Sequence, residues 1–130
     1  MISKHLLVNF EWTLPSFYKE VDEFKRTAKE ENIKFESLKS AFKAGKQIAL
    51  TNNIWKKLKN TDSWNTNTMA EVQKLADEYG KDLKSIMQSK KLPMPIVMKN
   101  KNEYYLIAGN TRLMYAKANK TVPQVYLITL

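Results

Sequence analysis

The chain has 130 residues, enough for one domain that buries a core without metal or disulfide staples. It has no cysteine and one histidine, His5, which excludes thiol nucleophiles, disulfides and thiolate or His-rich zinc sites and argues against a Ser-His-Asp triad. Twenty-two Lys and Arg against thirteen Asp and Glu give +9, a charge suited to nucleic acid or a phosphorylated ligand, or simply a basic surface.

Two of the basic residues are arginines, Arg26 and Arg112, and the general surface cation is lysine. No apolar run reaches the roughly 20 residues that span a bilayer. The first twelve residues are too short and polar for a signal peptide, so no membrane partner and a cytoplasmic location are expected.

A short strand is predicted over residues 5–12. Ser16 has the form of an N-cap, with Glu20 early in the helix and Phe17, Val21, Phe24 and Ala28 on one face. Phe35, Leu38, Ala41 and Phe42 set a second helix over 35–44, closed by Gly45. The aromatic stripes of both helices read as core. Residues 47–51 form a strand, Asn52-Asn53 a turn or cap, and Ile54, Trp55 and Leu58 a short amphipathic helix.

The segment 59–65 is a polar loop with the densest cluster of short hydrogen-bonding side chains in the chain. Thr68 and Glu71 match a capping box for a helix with Met69, Val72, Leu75, Ala76 and Tyr79 on one face, ending at Gly80. Asp82 caps a further helix containing Leu83, Ile86 and Met87, with Lys90-Lys91 near its end and Pro93 and Pro95 as stops. Ile96-Val97-Met98 and residues 104–108 flank the polar turn 99–102 as a β-hairpin. A helix from Asn110 to about Lys117 and a final strand over 122–130 complete the chain.

The stretch from Tyr104 to Leu113 carries the most chemistry. A strand stops at Gly109 and opens into a helix with Asn110, Thr111 and Arg112 in its first turn. Free amides at a helix start, the helix dipole and an arginine fork together favour an anion, and a phosphate in particular. Gly109 admits a close ligand or is a plain strand-to-helix turn. Asn110 serves as cap, ligand contact or both, and Thr111 offers a hydroxyl to phosphate or is a surface threonine. Arg112 opposes the dipole unless an anion sits there; otherwise it pairs with Asp62 or another carboxylate.

In Asn60-Thr61-Asp62-Ser63, Asp62 is the candidate catalytic carboxylate, either holding Mg²⁺ through water or acting as a general base; an Asx-turn or helix cap is the alternative. Thr61 and Ser63 bind phosphate or order the loop. Trp55 reads as core, and Trp64 is core or a stacking surface for a base. Lys56, Lys57 and Lys59 either meet a nucleic-acid backbone or form a solvated face.

The order helix, Pro95-Ile96-Val97 strand, hairpin, strand ending at Gly109, helix and terminal strand resembles the ParB/sulfiredoxin superfamily over about residues 46–130. Small phage-type ParB-like domains are the nearest likeness, through the run Gly109-Asn110-Thr111-Arg112-Leu113-Met114 and a segment like Asn60 to Ser63 ahead of two helices. The resemblance implies an α+β domain with a small mixed sheet and flanking helices, preceded by an N-terminal helical extension over 1–45. In ParB proteins the matching Gly-x-x-Arg segment holds cytidine-nucleotide phosphates; in sulfiredoxins and free-serine kinases it supports those of ATP or ADP. Gly109, Asn110, Thr111 and Arg112 would then form a phosphate cradle, with a nucleoside di- or triphosphate and Mg²⁺ as ligands.

Three departures narrow this. Thr111 stands where many ParB proteins have a second arginine, the sulfiredoxin cysteine has no equivalent, and no helix-turn-helix segment follows. Sulfinic acid reduction is excluded, and a sliding clamp is not expected. Two functions stand as expectations. One is a nucleotide- or nucleic-acid-phosphate-binding protein working as NTP hydrolase, phosphotransferase or nuclease. The other is a non-catalytic basic module that binds nucleic acid or inhibits a host factor.

Overall fold

The computed structural model describes residues 11–130; His5 and most of the strand expected over 5–12 lie outside the described residues. Strand β1 (Glu11–Thr13) precedes helices α1 (Val21–Glu30) and α2 (Phe35–Lys43). Strand β2 (Lys46–Ala49) leads into α3 (Asn52–Lys57), α4 (Met69–Glu78) and α5 (Leu83–Gln88). Then come β3 (Lys91–Pro93), β4 (Ile96–Asn100), β5 (Glu103–Ala108), α6 (Asn110–Ala118) and β6 (Gln124–Thr129). The main sheet has the order β2-β6-β4-β5, with β4 and β6 parallel and the other neighbours antiparallel. A separate parallel pair joins β1 to β3. The architecture is α+β with a mixed sheet.

Alternation along the strands divides the core into two layers. Ile96, Met98, Ile107 and Ile128 face Phe17, Phe24 and Leu38 of the N-terminal segment. Val97, Leu106 and Val125 face Trp55, Leu58, Leu113 and Ala116 on the other side. Both faces of the sheet are therefore covered, and the core runs unbroken across residues 45 and 46. Helices α4 and α5 pack behind α6 through Val72, Ala76, Leu83, Met114 and Tyr115. Pressed between sheet and helices, α6 is apolar around most of its circumference.

Several local features differ from the sequence-based expectation. Ser16 accepts from the Lys19 N–H at 3.4 Å and closes a preliminary turn, and α1 itself starts at Val21 with Glu20 in the cap position. Thr51, not Asn52 or Asn53, caps α3 through the Ile54 N–H. Gly45 is not in a left-handed conformation; a Cβ there would lie 2.4 Å from the Tyr126 ring, whose hydroxyl donates to the Phe42 carbonyl at 2.6 Å. The stop expected at Pro93 contains a strand, because an extended 91–93 segment can pair with β1. The capping box of α4 forms as expected. So does the hairpin: Lys101 and Asn102 both have positive φ, the requirement of a two-residue I′ turn.

Candidate functional site

Strand β5 ends against the mouth of a cleft of about 710 Å³, and Gly109 makes the corner. Its φ of +108° disfavours any side chain, and a Cβ would sit 2.6 Å from Pro95 Cβ and 2.8 Å from Pro95 Cα. Gly109, not Asn110, holds the cap position of α6, so no side chain caps the first turn. Ala108 through Arg112 line the cleft. The amides that α6 cannot satisfy internally are therefore at the cleft wall.

Asn110 is instead committed to a side-chain relay. Its Nδ2 donates to Asp62 Oδ1 at 3.1 Å, and its Oδ1 accepts from the Thr61 hydroxyl. Since that bond uses Thr61's single proton, the 2.7 Å contact between the Thr61 and Ser63 hydroxyls must have Ser63 donating. Ser63 in turn accepts from Trp55 Nε1 at 2.8 Å. From the other side, the Tyr79 hydroxyl donates to Asp62 Oδ2 at 2.6 Å. That bond, with the adjacent negative charge, raises the Tyr79 pKa above the usual phenol value. Asp62 is thus a half-buried carboxylate aimed by Asn110 and Tyr79, each oxygen keeping acceptor capacity.

Tyr79 departs from the core position its helical spacing suggests and is 48% exposed on the cleft wall. Its place at the end of α4, beside Gly80, was the one signal that it could turn outward.

Arg112 pairs with Glu20 at 3.2 Å and donates its Nη1 to the Pro93 carbonyl. Burial pulls its pKa down and Glu20 pushes it back up. A guanidinium keeps its charge under such pressure. Two of its five N–H donors are used by these partners. The pair joins residues 92 positions apart, a separation at which sequence spacing gives no signal. Arg26 also reaches the cleft, held by Glu23, Glu30 and the Ile107 carbonyl.

The structure brings Thr61, Asp62, Gly109, Asn110, Thr111 and Arg112 to one cleft. Thr111 is not a surface threonine; it is 7% exposed, in the cleft wall. Ser63 is fully buried, outside the lining, and acts on the site through Thr61. Lys56, Lys57 and Lys59 also lie outside the lining. Lys59 pairs with Glu103 at 2.6 Å, while Lys56 and Lys117 lie 5.9 and 4.5 Å from the centre of the Trp64 ring. Trp64 packs edge-on against Trp55.

The cleft's cations are Lys19, Arg26, Lys81 and Arg112, and its carboxylates are Glu20, Asp22, Glu23 and Asp62. They balance, so the chain's surplus charge lies elsewhere. Among the described residues, no three of His, Cys, Asp and Glu gather as a metal cage, and no helix is long and apolar enough to cross a membrane. Set beside known proteins, the chain matches no protein-family model, no curated protein and no solved structure.

Proposed function

We propose that the cleft binds the phosphates of a nucleotide, as the likeness to the ParB/sulfiredoxin superfamily implies, and that Asp62 works on them in hydrolysis or phosphoryl transfer. One observation carries this reading: the first turn of α6, left without a side-chain cap by Gly109, lines a nucleotide-sized cleft alongside Arg112, Arg26, Lys19 and Lys81.

The balanced charge favours a ligand that brings both signs, such as a nucleoside di- or triphosphate with Mg²⁺. Mg²⁺ needs only one or two carboxylates when phosphates complete its shell, so Asp62 suits it without a protein cage. Bound there, the ion would neutralise charge developing on the phosphate oxygens. Asn110 and Tyr79 hold the Asp62 carboxylate in one orientation, and Arg112 supplies fixed positive charge at the α6 start.

The test is a thermal-shift panel of nucleotides with and without Mg²⁺. Binding raises the unfolding temperature, and Arg112→Lys, which keeps a cation beside Glu20 but loses the fork, weakens it about tenfold. No shift with any nucleotide overturns the reading. Phosphate release that disappears in Asp62→Asn establishes turnover.

A second reading rests on the charge balance itself. Because the +9 surplus lies outside the cleft, a non-catalytic module could meet nucleic acid on another face, with exposed Lys56 and Lys57 among the contacts. Salt-sensitive binding that ignores Arg112→Lys and Asp62→Asn selects it.

A further inference from the structure

We propose that the cleft continues past Arg112 into a second compartment, and that its ligand is a single-stranded oligonucleotide with a neighbouring phosphate held at Lys91. The proposal rests on the phosphate reading of the α6 start and extends it from one nucleotide to a chain.

A second cavity of about 290 Å³ shares Lys19, Glu20, Ile86 and Arg112 with the first. Arg112 stands at the junction, its Nη1 on the carbonyl of Pro93, which lines the second cavity. Because Arg112 lines both cavities, its guanidinium charge can serve an anion that bridges the two spaces.

The compartments differ in charge. Among the described residues, cations and carboxylates balance in the first, whereas the second has Lys19, Lys91 and Arg112 against Glu20. Among the described residues, Lys19 and Lys91 form no ion pair. The hydroxyl residues Ser16, Ser85 and Ser89 also line this space, and Leu92 and Pro93 give it an apolar side. Cations, hydroxyls and a small apolar wall match a phosphate with its sugar.

At about 290 Å³ the second cavity is at the lower limit for a whole ligand, so it suits the extension of one already seated next door. Among the described residues no aromatic ring lines it, so affinity there should come from phosphate contacts and fall steeply with salt.

The experiment uses the full chain and compares a thymidine mononucleotide with a short labelled oligothymidylate across a salt series, for wild type, Lys91→Gln and Lys91→Glu. Lys91 is exposed on a short strand, so the variants should fold, and an unfolding curve for each is the check. The oligonucleotide should bind more tightly than the mononucleotide. Lys91→Glu should weaken the oligonucleotide about tenfold and lower its salt slope by about one, with mononucleotide affinity unchanged. If the mononucleotide binds but Lys91 variants leave oligonucleotide affinity and slope intact, the second compartment is overturned and the phosphate site stands. If neither ligand binds, the phosphate reading falls and this proposal with it.

Discussion

At the start of α4, Thr68 accepts the Glu71 N–H at 3.2 Å and the Glu71 carboxylate accepts the Thr68 N–H at 3.0 Å; at the start of α6, Gly109 brings no side chain at all. The first helix closes its own amides with residues three positions apart, as a helix does when its end has only to be stable. The second leaves them at the wall of the 710 Å³ cleft, at a corner that costs a positive φ and close packing on Pro95. Helices α1 and α2 also start without a side-chain cap. Helix α6 differs in that the positive φ of Gly109 sets its first turn, with Arg112, in the cleft wall, which supports the proposed phosphate site there.

Replacing Gly109 puts the greatest stress on this contrast. Gly109→Ala forces a Cβ into Pro95 and an L-residue into a left-handed φ, and it should cost about 3 kcal/mol or more in urea unfolding. A loss below about 1 kcal/mol would mean that the corner relaxes freely and is not a fixed element of the site.

Glu20→Gln sharpens the same contrast from the other side of the cleft. Glu20 is the anion that now neutralises Arg112, with side-chain exposures of 24% and 14% for the two residues. Removing its charge should lower stability by about 1.5 kcal/mol and strengthen nucleoside triphosphate binding several-fold. Unchanged or weaker binding would show that Glu20 orients Arg112 and does not compete with the ligand.

At the closed helix start, Thr68→Ala should cost about 1 kcal/mol and leave ligand affinity untouched. Backbone and hydroxyl donors from Asn67 and Thr68 hold the Glu71 carboxyl below its usual range. Because its folded pKa lies below its unfolded one, near 4.3, Glu71 contributes stability above that value and loses it as pH falls through the folded value. The stability gap between wild type and Glu71→Gln should therefore shrink as pH drops from about 7 to about 3, measured by unfolding at each pH. A gap that does not change with pH would remove the carboxylate from the cap.

The same contrast explains what was legible in the sequence. A capping box lies within four residues, and the strands' alternation and the Lys101-Asn102 turn are equally local. The Gly109 corner was legible because a strand, a glycine and a polar helix turn adjoin in the chain. What completes the site was not. Glu20 meets Arg112 from 92 positions away, and Asn110 meets Asp62 from 48. Helical spacing puts Tyr79 on one face with Val72 and Ala76, yet periodicity reports a face of a helix and not where the last turn points. The position of α1 and α2 was hidden too, since their apolar stripes are compatible with any sheet face.

The smallest expected effect comes from a group left open that lines neither of the two cavities. Thr27 of α1 is fully buried, and among the described residues its hydroxyl has no hydrogen-bond partner. Valine keeps the shape and the β-branch and removes the unmet polar atom, while helix propensity hardly changes. Thr27→Val should raise stability by up to about 1 kcal/mol, or a few degrees in Tm, with ligand binding unaffected. Thr111 is the matching control, a threonine almost as buried but set in the cleft wall. Thr111→Val should weaken nucleotide binding even where it leaves Tm alone. If both valines behave alike, an open polar group on this fold carries no information about ligands. If they part, as the proposed phosphate site predicts, the open start of α6 is open for a ligand and not by default.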